Sequence, residues 1–129
     1  FAPFAQALRA AHDARRRNVG RLRAAGVTIL AGSDAPAAGL FPGVGLHVEL
    51  EKLVEAGLTP GEALRAATVD NARFLAGPDA DFGEIAPGKR ADLLLVDGDP
   101  LARIGDTMRI AHVVLDGVVL ERRPPAPAS

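Results

Sequence analysis

The sequence predicts an α/β fold, and three observations point to it. A helical apolar period over residues 4–25 runs through Gly26 straight into a short β-branched, apolar run at 27–31. Three further helical stretches follow, the first and last closed by glycines. Beyond residue 82 the pattern becomes that of strands and a hairpin. A helix, a tight turn and a buried strand make one half of a βα repeat.

In the first helix Leu8, Ala11, Val19 and Leu22 form a loose apolar stripe, with arginines over much of the remainder. Gly26 suits the end of that helix because glycine takes a positive φ without steric cost. Residues 32–45 hold four glycines and two prolines and read as a loop. The next helix spans about 46–56, with Leu46, Leu50, Leu53 and Val54 on one face and Gly57 as its stop. Thr59, Pro60 and Glu62 form a helix-start signature in which Thr59 caps, Pro60 fills the first turn and Glu62 reaches back. That helix runs to about 67, and another covers about 69–76 before Gly77-Pro78. Further on, 91–96 reads as a strand, and 110–115 with 118–120 as a hairpin. Its Asp116-Gly117 pair suits a two-residue turn of the I′ type.

Composition narrows the function. The 129 residues are 48% hydrophobic, enough for one modest core, and the formal net charge of −1 gives no field favouring nucleic acid or an anionic membrane. No apolar stretch reaches the roughly 18–20 residues that cross a bilayer. Cysteine is absent, which removes disulfides, thiolate metal sites and cysteine nucleophiles. The first ten residues lack a signal peptide's basic start, and the opening Phe1 is read as a natural N-terminus lying elsewhere.

Asp34 stands in Gly32-Ser33-Asp34-Ala35-Pro36, just past the end of the 27–31 run, where functional residues of parallel α/β proteins gather. The same residues also make an ordinary turn in which Asp bonds nearby backbone N–H groups, and local sequence favours that turn. His12, His47 and His112 are isolated, and no pair has the spacing that aims two imidazoles at one ion. His12 reads as a solvated side chain and His112 as part of a strand face. His47 opens a helix after the glycine-rich loop and could face a pocket as a substrate contact, with helix-start packing as the simpler role. Arg15-Arg16-Arg17 reads as a solvated helix face, and Asp97, Asp99 and Asp116 as turn formers. Residues 39–45 match neither phosphate-binding fingerprint, and Ser33 lacks a nucleophile elbow.

Three stretches, in order, carry a resemblance. The first is Ala25-Gly26-Val27-Thr28-Ile29-Leu30-Ala31-Gly32-Ser33-Asp34. The second begins His47-Val48-Glu49-Leu50-Glu51, continues Val54-Glu55-Ala56-Gly57-Leu58-Thr59-Pro60, and ends Ala63-Leu64-Arg65-Ala66-Ala67-Thr68. The third runs from Gly83-Glu84-Ile85-Ala86-Pro87-Gly88-Lys89-Arg90-Ala91-Asp92-Leu93 to Asp97-Gly98-Asp99-Pro100-Leu101. Over roughly 20–120 the chain resembles the C-terminal portion of a metal-dependent amidohydrolase, of the imidazolonepropionase-like and prolidase-like branch.

That resemblance implies the last part of a (β/α)8 barrel in residues 1–80, with 27–31 as its eighth strand. Residues 81–121 would then be strands of a small β-sandwich, and 122–129 a loose tail. It implies Asp34 as catalytic group and metal ligand, taking a proton from water on a divalent metal, most simply zinc, and returning it to the leaving nitrogen. The family's His-x-His pair, its bridging carboxylate and its other strand-end histidines would lie upstream of the matching region. A barrel of this kind takes about 250 residues, so the remaining strands are expected from the same or another chain. A small amide or dipeptide is the expected substrate, with a cytoplasmic setting and possible homo-oligomer formation. A deaminase or proline dipeptidase of the same superfamily fits equally. The rival from another class is a non-catalytic α/β partner-binding module or truncated subunit lacking the metal site. Nucleic-acid binding through the arginine-rich helix ranks below both.

Overall fold

The computed structural model describes residues 2–36 and 41–121, so the loose tail expected at 122–129 lies outside the described residues. Helix α1 (Ala2–Ala24) is followed by α2 (Val44–Glu55), α3 (Pro60–Ala67) and α4 (Val69–Ala76). Then come β1 (Leu93–Val96), a 3₁₀ turn (Ile104–Met108), β2 (Ile110–Leu115) and β3 (Val118–Leu120). The strands form one antiparallel sheet in the order β1-β2-β3, with a register shift between Leu95 and Val96.

The helix stops act as the sequence predicts. Gly26 has φ 77°, its N–H donates to the Arg23 carbonyl at 2.9 Å, and the Val27 N–H donates to Leu22 at 3.0 Å. This pair of bonds satisfies carbonyls that α1 would otherwise leave open. At α3 the capping box is complete: Thr59 Oγ1 accepts from the Glu62 N–H at 3.2 Å, and Glu62 accepts from the Thr59 N–H at 2.7 Å. At the hairpin Asp116 and Gly117 both take positive φ, 49° and 78°, as a I′ turn requires.

The core gathers where α2 and α3 meet the 27–31 segment. Leu50, Leu53, Leu58, Ala63, Ala66, Ala31 and Ile104 are buried, with Val19 and Ile29 packed against them. Small side chains on α3, with Ala63 wholly buried, let its backbone approach closely enough for the Ala31 N–H to reach the Ala66 carbonyl at 3.0 Å. Ile104 brings the 3₁₀ turn into the same core. The sequence pattern does not foretell that turn, because five residues are too few to show a period.

One expectation needs correction. Residues 27–31 form no strand, although their pattern reads as a buried strand and the resemblance makes it the eighth of a barrel. A strand is defined by the neighbours it pairs with, and none lies beside this run among the described residues. Val27 is 49% exposed for the same reason. The expected strand at 91–96 begins instead at Leu93, since the Asp92 carboxylate turns to accept the Asp116 N–H at 2.8 Å. The described residues hold one three-stranded sheet and no second sheet facing it.

Candidate active site

Asp34 follows the core-packed end of the 27–31 segment, whose backbone is held from several sides. The Ala31 N–H goes to the carbonyl of Ala66 on α3, and the Ala31 carbonyl accepts from Nδ2 of Asn71 on α4 at 2.9 Å. The Gly32 backbone N–H donates to the Glu49 carboxylate on α2. Ser33 lies against the first turn of α2, where a Cβ built on Gly45 would stand 3.2 Å from the Ser33 Cβ. Three helices thus clamp the three residues before Asp34.

Asp34 itself is exposed and has φ 53°, in the left-handed region that Asp tolerates better than most residues. Its carboxylate has no hydrogen-bond or ion-pair partner among the described residues. The self-bonded turn suggested by local sequence would draw on N–H groups of residues 37 and 38, which lie outside the described residues. A left-handed backbone at a held chain end is a feature that active sites share.

His47 is placed differently. From the first turns of α2 its Nδ1 lies 2.9 Å from the Thr107 hydroxyl, while that hydroxyl donates to the Ile104 carbonyl at 2.9 Å. Thr107 has one proton and spends it on Ile104, so its oxygen accepts from Nδ1–H of His47. The imidazole is thereby held as a strut between α2 and the 3₁₀ turn, with Nε2 left as an acceptor. His47 lines an apolar groove of about 810 Å³ together with Leu46, Leu64, Val69, Ile85 and Leu95. Asp34 does not line that groove, so the two candidate residues are not brought into one cavity there. His12 and His112 are exposed, on α1 and β2 respectively.

A complete metal centre does not fit these residues. Among the described residues no three of His, Asp or Glu come together as a metal-ion site. Asp34 offers one donor, where a catalytic zinc ion takes three protein ligands and keeps a position open.

Glu49 and Glu62 are perturbed in opposite directions. Burial pushes the Glu49 pKa above its usual 4.5, with the Gly32 N–H partly opposing the rise. Glu62 moves the other way, to about 2, held by the Thr59 backbone N–H first and by Arg23 next. Sequence reasoning passes over Glu49 and Asn71. Nothing local marks either one, since each looks like an ordinary polar residue on a helix until the fold sets it beside the segment before Asp34.

Known proteins resemble this chain in sequence and fold. The amidohydrolase family matches residues 7–120. The chain belongs to the amidohydrolase family. It is 39% identical over 110 residues to the imidazolonepropionase of Anaeromyxobacter dehalogenans, covering 82% of this chain and 25% of that protein. It is 40% identical over 82 residues to the ochratoxinase of Aspergillus niger, covering 62% of this chain and 16% of the relative. Among solved structures, a Xaa-Pro dipeptidase with methionine in its active site superposes with a TM-score of 0.74 at 30% identity. That superposition covers 83% of this chain and 25% of the dipeptidase. The chain thus spans about a quarter of the imidazolonepropionase and less of the ochratoxinase. Amidohydrolases generally use divalent metals, and the named relatives are hydrolases of C–N bonds.

Proposed function

We propose that this chain is the closing part of a metal-dependent amidohydrolase that cleaves a C–N bond, with Asp34 as its proton-transferring carboxylate and one ligand of its metal. The observation that carries the reading is the state of Asp34. The three residues before it are held by three helices, its φ is unusual, and its carboxylate has no partner among the described residues.

Hydrolysis of a C–N bond needs a proton taken from the attacking water and a proton delivered to the departing nitrogen. One exposed carboxylate can serve both in turn. The other metal ligands, with zinc as the expected ion, would come from outside these residues, together with the remaining strands of a barrel. Exposed apolar side chains support such covering, among them Val27 beside the clamped segment and Ile85 at 89% exposure. The relatives are named imidazolonepropionase, ochratoxinase and Xaa-Pro dipeptidase, and these names support an amide-like, cyclic or peptidic C–N bond as the substrate class.

The test is metal content and amide or dipeptide hydrolysis by the assembled enzyme, wild type against Asp34→Asn. Bound metal with turnover lost in the variant supports the reading. Unchanged turnover in Asp34→Asn, or no metal in an active preparation, sinks it. The lack of a three-donor group among the described residues favours one rival, a non-catalytic partner-binding module. That rival predicts an assembly carrying this chain that neither binds metal nor turns over any of these substrates.

A further inference from the structure

The last backbone groups before the Gly32-Ser33-Asp34 turn belong to Ala31, and both are taken by helices rather than by a neighbouring strand. The N–H goes to the Ala66 carbonyl at 3.0 Å, and the carbonyl accepts from Asn71 Nδ2 at 2.9 Å. The Ala31 N–H is thus spent on α3 and is not available to a neighbouring strand. The first of these bonds joins two backbones and survives most substitutions. The second depends on a single side chain, half-buried in the first turn of α4.

We propose that Asn71 is a positioning residue for Asp34, setting through the Ala31 carbonyl where the chain leaves the core and so where the Asp34 carboxylate arrives. The inference rests on the reading of Asp34 given above. Asn71 has chemistry suited to this role, because its amide is a neutral donor and its short side chain holds the carbonyl with little play. Only two residues, Gly32 and Ser33, separate the held carbonyl from Asp34, so movement at Ala31 reaches Asp34 with little loss. A displacement near 1 Å of a reacting group costs on the order of a hundredfold in rate.

Two variants separate positioning from packing. Asn71→Ala removes the donor and the bulk. Asn71→Asp keeps the shape, but while ionised it presents an oxygen to the Ala31 carbonyl and cannot donate. Both are assayed in the assembled enzyme beside wild type and Asp34→Asn, per folded molecule by circular dichroism. The expected result is a kcat about tenfold to a hundredfold lower in both Asn71 variants, with KM within about twofold of wild type. The ratio of Asn71→Asp to wild-type kcat should also rise as pH falls, because the introduced carboxyl regains an O–H donor once protonated. A purely packing role would leave Asn71→Asp at the wild-type rate, or its ratio flat with pH, and either result overturns the proposal. Wild-type kcat in both Asn71 variants with Asp34→Asn inactive overturns it as well, while leaving the role of Asp34 standing. An active Asp34→Asn overturns that role and this inference with it.

Discussion

Arg23 and Glu62 are 39 residues apart and close as a two-pronged pair, Nε to Oε1 at 3.1 Å and Nη2 to Oε1 at 2.9 Å. The pair ties the last turn of α1 to the first turn of α3. Glu62 also closes the capping box on Thr59, so one carboxylate serves a helix end and a helix–helix tie together.

From this follows an acid-sensitive stability. The Glu62 pKa is lowered from 4.5 to about 2, so the unfolded state binds the proton first. The stabilisation is present above pH 4.5 and is lost as pH falls from there towards 2. Thermal unfolding of wild type and Glu62→Gln across that range should show a gap that narrows with acid. A gap of constant width would mean the charge of Glu62 is not what matters. Thr59→Ala should cost roughly 0.5–2 kcal/mol at neutral pH, the usual loss for a helix cap.

Gly20 on α1 sits where a Cβ would stand 2.7 Å from the Ala56 carbonyl oxygen at the end of α2. The two helices approach that closely only because the side chain is missing. Gly20→Ala favours helix locally by about 0.8–1 kcal/mol, yet it forces α1 away from α2. Because α1 has no buried residue of its own, little resists its release. Hydrogen exchange should therefore speed up along α1 while α2 and α3 stay protected. Unchanged protection in α1 would show that the helices adjust around the methyl.

Much of this fold is legible because short-range chemistry decides it. The Thr59–Glu62 box, the stop at Gly26 and the Asp116-Gly117 turn each lie within a few residues, and each is found where the pattern puts it. The 27–31 run shows the limit. Its β-branched residues promise a strand, but a strand needs neighbours, and none pairs with it among the described residues. Asp34 stands out by its place after that run. Asn71 does not, because what matters about it is a partner 40 residues away. His47 shows both sides: its place at the helix start is readable, while the Thr107 hydroxyl that fixes its tautomer is 60 residues off.

That tautomer can be checked directly. With Nδ1–H directed to Thr107, long-range nitrogen–proton NMR of the neutral imidazole should show Nδ1 protonated and Nε2 bare. Thr107→Val removes the acceptor and leaves a half-buried N–H without a partner, at a cost of about 1–3 kcal/mol for such a group when fully buried and less here. The same spectra should then lose the preference for Nδ1–H. A Thr107→Val protein that keeps both wild-type stability and the wild-type tautomer would contradict the strut.

Glu49 runs opposite to Glu62 in its dependence on pH. Burial raises its folded pKa above 4.5, so the folded state holds the proton more tightly than the unfolded chain does. Its contribution to stability is therefore fullest below pH 4.5 and falls as pH rises through the folded value. Glu49→Gln keeps the shape without the ionisation, and should unfold at a higher temperature than wild type at about pH 7 but not at about pH 4. The Gly32 N–H sets a bound on this gain, because it meets a weaker acceptor in the amide than in the carboxylate. If Glu49→Gln is instead less stable near neutral pH than in acid, relative to wild type, the bond to Gly32 outweighs burial. Glu49 would then hold the segment before Asp34 through its charge.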